Sequence, residues 1–243
     1  MKTPGARLLC GAILGALCAG CGSTSSGPAE VPTRAVVSRP SASPDVLRGE
    51  RLLAEGKVTE AKRVFEKALA DDPNDARAWL DLGLSQEATN DWASAEQAYR
   101  RATKLDPNFA EAFNNLGVLL REAGKLREAA AMLERAVALD PALAAARFNL
   151  ALAYEELGNR GDAEREYLAA IDRLPDDPVP RINLAMMLLD AGRPEDAAVQ
   201  LRAARSMILG DVLLSIAVGE GLRRAGLPAE AVPVLQTALR QAP

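Results

Sequence analysis

Residues 76–109 read ARAWLDLGLSQEATNDWASAEQAYRRATKLDPNF, and residues 110–143 read AEAFNNLGVLLREAGKLREAAAMLERAVALDPAL. Laid over each other without a gap, they agree at Leu82 and Leu116, Ala95 and Ala129, Ala102 and Ala136, and Pro107 and Pro141. Agreement at a fixed period of this length marks an internal repeat. Pro73, Pro107, Pro141 and Pro175 are spaced by 34 residues, and Pro243 falls two periods after Pro175, with Leu209 at the skipped place. Alanine keeps the same phase at Ala61, Ala95, Ala129, Ala163, Ala197 and Ala231, and again at Ala68, Ala102, Ala136, Ala170, Ala204 and Ala238. Between the two series stands a large residue: Phe65, Tyr99, Leu133, Tyr167, Leu201 or Leu235.

Each unit contains two apolar-periodic segments of helical length. They are split near Gly56, Asn90, Gly124, Gly158, Gly192 or Gly226, residues that accept the left-handed conformation ending a helix. Pro194 and Pro228 fall where second helices should start, and there a missing N–H costs little. Apolar residues make up 49% of the chain and aromatics only 4%, so the core must be built from Ala and Leu, both strong helix formers. The in-phase alanines let paired helices approach closely, and Leu82, Leu116, Leu150 and Leu184 are expected to fill the space between helices. One such unit cannot bury its apolar face alone, so neighbours must stack.

Trp79, Leu82, Gly83, Ala95, Tyr99, Ala102 and Pro107 in the second unit match the signature of the tetratricopeptide repeat. The chain resembles that family over residues 42–243, in units 42–75, 76–109, 110–143, 144–177, 178–211 and 212–243. The resemblance implies an all-α fold, a right-handed superhelical solenoid of six helix-turn-helix repeats. Departures lie toward the ends. Asp45 stands where the second unit has Trp79, and Pro233 lies inside the last helix, which it should kink or shorten. No polar helix follows the last unit in this sequence, so that end, around Val232, is expected to be either a contact surface or frayed.

The first 44 residues read differently. Lys2 and Arg7 precede an apolar run from Leu8 to Leu17, too short to span a bilayer as a helix. This describes a secretory signal over residues 1–20. Ala19 and Gly20 lead into Cys21, which resembles the lipobox of bacterial lipoproteins, where the cysteine becomes the lipidated N-terminus. Cys18 stands where that family usually has Leu. An ordinary signal cleaved near Ala19, or an uncleaved anchor, is the alternative. Residues 21–44 are rich in Ser, Gly, Pro and Thr and read as a flexible tether ahead of repeats spanning 45–243. Gly22, where inner-membrane lipoproteins often carry Asp, leans the resemblance toward an outer-membrane lipoprotein facing the periplasm.

In the tetratricopeptide family the first helix of each unit lines a concave face. The resemblance then implies a floor of Asp81, Asn115, Asn149 and Asn183, with Ala217 next in the series. Asn offers a donor and an acceptor to an extended peptide. Leu80, Leu84, Val118, Phe148, Leu152, Ile182, Met186 and Ile216 would flank it, interrupted by Asn114. Such a groove suits an apolar peptide or the apolar face of an amphipathic helix; the alternative is that several of these residues pack between repeats and the amides only solvate the face. Only Arg77 stands at the early positions from which some relatives clamp a C-terminal carboxylate, so a clamp is not expected. Glu166 is expected on the outer, solvated face.

Composition narrows the chemistry. There is no histidine, and the three cysteines, Cys10, Cys18 and Cys21, all precede Gly22, which leaves the repeats without the commonest general base, a thiol nucleophile or a Cys/His zinc site. Net charge is −4 with both signs interspersed, and no basic stripe offers phosphate contacts to nucleic acid. No phosphate-binding glycine loop or nucleophile elbow is present. Glu155 with Glu156 and Asp176 with Asp177 are the available carboxylate pairs, and their expected places on solvated helix faces or in a loop give them no catalytic setting. The expectation is a scaffold and not an enzyme, with no cofactor, metal, nucleic acid or small-molecule substrate. Its partner would be a protein, an envelope-complex subunit, and its membrane contact a lipid anchor. Pilotins of type IV pili and repeat lipoproteins of tight-adherence pili and gliding machinery share this plan, which implies assembly or localisation of a secretin or motility complex. An adaptor recruiting peptidoglycan hydrolases or a protease is the alternative.

Overall fold

The computed structural model describes residues 42–208 and 210–241. The signal segment, Cys21, the tether up to residue 41, Leu209 and Pro243 lie outside these. The described residues form twelve helices and no strand: α1 (Pro44–Ala54), α2 (Val58–Asp71), α3 (Ala76–Ala88), α4 (Trp92–Leu105), α5 (Ala110–Glu122), α6 (Leu126–Leu139), α7 (Ala144–Glu156), α8 (Arg160–Arg173), α9 (Pro178–Asp190), α10 (Pro194–Arg205), α11 (Val212–Arg224) and α12 (Pro228–Gln241). They fall into two compact units, divided between Gly124 and Lys125.

Local chemistry sets the helix ends. Asp75, Asp177 and Asp211 accept hydrogen bonds from the first-turn backbone N–H groups of α3, α9 and α11, and Ser43 does the same for α1, which satisfies donors the helix cannot. The in-phase Phe109 and Leu143 make no such bond. Gly56, Gly124, Gly158, Gly192 and Gly226 all have positive φ, and Asn90 is the one non-glycine described with φ near 60°; asparagine tolerates this region better than most residues.

In the N-terminal unit, α1 packs on α2 and α3, and α3 on α4. Phe65, Ala61, Ala68, Val46, Ala78 and Leu82 form one buried cluster there. The glycine-to-aromatic contact fixes the hairpin spacing: a Cβ added at Gly83 would come 2.5 Å from the Tyr99 ring, and one at Gly49 would meet Phe65. A side chain at either place would require the ring or a helix to shift. In the C-terminal unit, α7 packs on α6 and α8, α9 on α10, and α11 on α12. Both alanine series are buried throughout, as are Phe65, Tyr99, Leu133, Tyr167 and Leu201. Leu82, Leu116, Leu150 and Leu184 are buried as expected.

One expectation changes. Helix α12 runs its full 14 residues through Pro233, so the proline does not shorten it. Instead α10 is short, at 12 residues, ending at Arg205 just before Leu209, where the recurring proline is missing.

Candidate functional site

The residues expected to form a groove divide by depth. In the N-terminal unit Leu84 and Asn115 are half-buried, whereas Leu80, Asp81, Asn114 and Val118 are buried. In the C-terminal unit Leu152, Asn183 and Met186 are half-buried and Ile216 is 47% exposed, whereas Phe148, Asn149 and Ile182 are buried. The buried apolar members belong to the packing between helices. Phe148, only 4% exposed, sets its ring 6.0 Å from that of Tyr167 at a tilted 55°. The fifth position of the first helix is therefore buried in the second to fifth repeats and open only at Ile216, and the accessible members are Leu84, Asn115, Leu152, Asn183, Met186 and Ile216. The amides are also engaged: Asn183 Nδ2 donates to the Val179 carbonyl at 2.9 Å, and Asn114 Nδ2 to Asn115 Oδ1 at 3.0 Å. What remains open on each unit is a mixed row of apolar side chains and amide edges, which suits a protein segment.

Glu156 and Asp176 are exposed as expected, but two other carboxylates are not. Glu166 does not lie on a solvated outer face: it is 7% exposed, and Arg147 Nη1 on α7 donates to its Oε2 at 2.9 Å. Glu155 is half-buried and accepts the Tyr167 hydroxyl at 2.7 Å. Glu87 accepts the Tyr99 hydroxyl at the same distance, two repeats earlier. Burial raises the Glu87 carboxyl, an effect the tyrosine hydrogen bond partly offsets, and burial likewise pushes the Tyr99 hydroxyl well up. These carboxylates are structural acceptors. Asp177 caps α9.

One cluster on the N-terminal unit stands out. Arg77 Nε donates to Glu50 Oε1 at 2.6 Å, so the guanidinium is already held and unavailable as a carboxylate clamp. Asp81, one turn further along α3, is 7% exposed, and its Oδ2 has no donor within reach. Glu50, on the neighbouring helix α1, acts on it as a like charge, and its carboxylate too can only accept. Burial, then the Glu50 charge, lifts the Asp81 carboxyl to about 8, against the opposing pull of Arg77. Glu50 was not singled out in the sequence; its one signal was a charged residue at the ninth position of a first helix, where later units carry Leu84, Val118 and Leu152.

Among the described residues no helix is long and apolar enough to cross a membrane, and no group of His, Cys, Asp or Glu is arranged to hold a metal ion. The tetratricopeptide repeat family model matches residues 46–110 and 114–178, and a second model of the same repeat matches 178–203. The chain belongs to the tetratricopeptide repeat family, an all-α repeat solenoid whose members serve as scaffolds for protein–protein contact. No curated protein matches the chain. Solved structures with a similar fold include PilW, a widely conserved type IV pilus biogenesis factor, at 24% identity and a TM-score of 0.67 over 80% of this chain and 96% of that one. The pilF protein of Pseudomonas aeruginosa aligns at 22% identity and a TM-score of 0.67, over 79% of this chain and 89% of that one. YrrB, a repeat protein with an unusual peptide-binding site, aligns at 21% identity and a TM-score of 0.58, over 74% and 92% respectively.

Proposed function

We propose that this chain is a lipid-anchored scaffold of the cell envelope that holds a protein partner on its first-helix faces and aids assembly or localisation of an envelope machine, a type IV pilus secretin or a motility complex. The observation that carries the binding role is the half-buried row of Leu152, Asn183 and Met186, with Ile216 more open still, on successive first helices of one unit. A row of apolar side chains beside amides supports recognition of a protein segment, where main-chain groups and apolar side chains must both be met. The likeness in fold to PilW and pilF supports the pilus reading. The resemblance of Cys21 to a lipidated cysteine supports the anchor and an outer-membrane, periplasm-facing location, since several acyl chains hold firmly where a single one does not.

The experiment is genetic complementation in the native cell. A strain lacking the chain is expected to lose assembled secretin multimers or surface motility. The wild type restores them, Cys21→Ala yields a soluble form that restores them poorly, and Asn183→Ala with Met186→Asp does not restore them although it folds. Restoration by that double variant contradicts the groove, and membrane retention of Cys21→Ala contradicts the anchor. A deletion strain altered only in wall lysis replaces the machine-assembly role with recruitment of a wall hydrolase.

A further inference from the structure

Most charged side chains described here either point to solvent or meet an opposite charge. The Asp81 carboxylate does neither. Glu50 sits on α1 and Asp81 on α3, two helices packed against each other. Arg77 holds Glu50, and Asp81 is buried with an oxygen that no donor reaches. Two ionised carboxylates cannot hydrogen-bond to each other, and a buried unpaired charge is costly. A single proton resolves both problems. It makes Asp81 a donor to Glu50 and leaves Glu50 with Arg77 as an ordinary ion pair. The other groups that sense Asp81 are Asp75, at the N-cap of α3, and Tyr99, on α4. Neither supplies a positive charge that could replace the proton.

The chain itself supplies the comparison. At the positions in phase with Asp81 it carries Asn115, Asn149 and Asn183. A neutral amide serves there in three repeats, and only in the second, facing Glu50, is the group ionisable. We propose that the Glu50–Asp81 pair is a proton-operated latch between α1 and α3: the packed arrangement keeps one proton between the two carboxylates, opening releases it, and rising pH loosens α1. This stands apart from the partner reading and needs no partner for its test.

The sign follows from linkage. A carboxyl whose affinity for a proton is higher in the closed state stabilises that state fully in acid, and the gain is lost as pH rises to the closed-state value. For Asp81 this window runs from about 3.8, its ordinary value, to about 8. Within it, opening of α1 becomes up to about tenfold easier for each unit of pH, and above it the dependence levels off.

The test uses the full chain and two readouts. Carbon-13 NMR of the Asp81 carboxyl is expected to show a midpoint near 8. Amide hydrogen exchange in α1, corrected for base-catalysed intrinsic exchange, is expected to lose protection with rising pH up to that midpoint and then level off. Asp81→Asn is expected to make α1 protection independent of pH over this range. Glu50→Gln, which leaves Asp81 in place, is expected to lower the Asp81 midpoint, and it serves where the first variant folds poorly. An Asp81 midpoint in the ordinary carboxylate range overturns the latch, as does a midpoint near 8 with α1 protection flat across the window. Persistence of the pH dependence in Asp81→Asn overturns it as well.

Discussion

The Tyr99 hydroxyl donates to Glu87 at 2.7 Å, and Tyr167 repeats the bond with Glu155 at 2.7 Å. Each tyrosine is fully buried between the two helices of its repeat and reaches back to the end of the first. A hydroxyl replaces solvent for a carboxylate that the packing has half covered, so ring and acceptor form one structural unit. Tyr99→Phe removes the donor and leaves Glu87 without its partner. The expected cost is about 1–2 kcal/mol, read by urea unfolding, with Tyr167→Phe costing about the same. A change below a few tenths of a kcal/mol would show that water substitutes for the hydroxyl.

Gly83 faces the Tyr99 ring so closely that a methyl there must displace the ring or push α3 from α4. Gly83→Ala is therefore expected to destabilise by about 1–3 kcal/mol, the usual range for overpacking. Ala151 holds the in-phase position in the repeat that contains Tyr167, so the alanine is compatible with the fold even though it strains this spacing. Calorimetry of the variant checks the size, and an unchanged melting temperature contradicts the contact.

Gly158 and Gly161 lie three residues apart and should respond oppositely. Gly158 has φ of 83°, whereas Gly161 lies within α8, with nothing within 4 Å of the place its Cβ would take. Gly158→Ala is expected to cost about 1 kcal/mol through the left-handed backbone. Gly161→Ala is expected to gain up to about 1 kcal/mol through helix propensity. Thermal unfolding of the two variants side by side gives the comparison.

Arg147 and Glu166 form a largely buried ion pair. Arg147 Nε also donates to the Pro141 carbonyl at 3.0 Å, as Trp79 Nε1 donates to Pro73 at 2.9 Å two repeats earlier. Glu166→Ala leaves the guanidinium without its carboxylate and is expected to cost about 3 kcal/mol. Glu166→Gln should cost less, since Gln200 stands in phase and accepts from Arg181 at 3.4 Å. Equal losses for the two variants, measured by chemical unfolding, would contradict a charge-based role.

The sequence carried the fold almost in full, because a repeat states the same packing problem several times. The alanine series, the interhelical leucines and the left-handed glycines are each legible from identity at a fixed period. Pairs that change together between repeats were hidden. Arg147, where earlier repeats have Trp79 and Phe113, is met by Glu166, as Arg181 is met by Gln200, and Glu166 alone looks like any solvated helix carboxylate. The groove was legible as a set of helix positions but not in depth. Phe148 and Leu152 look alike along the helix, yet a packed neighbour covers the first and leaves the second half open. The state of Asp81 depends on Glu50, a residue of the preceding repeat, and no local pattern encodes that contact.

Binding of a protein partner on the first-helix face is the proposal on which the function rests. It is tested most directly by site-specific photo-crosslinking in the native cell, with a probe at half-buried Met186 and a control at exposed Arg173. The Met186 probe alone is expected to capture a secretin or motility-complex subunit, identified by mass spectrometry. Capture of that subunit from Arg173 and not from Met186 would place the partner on another face and contradict binding at the first helices.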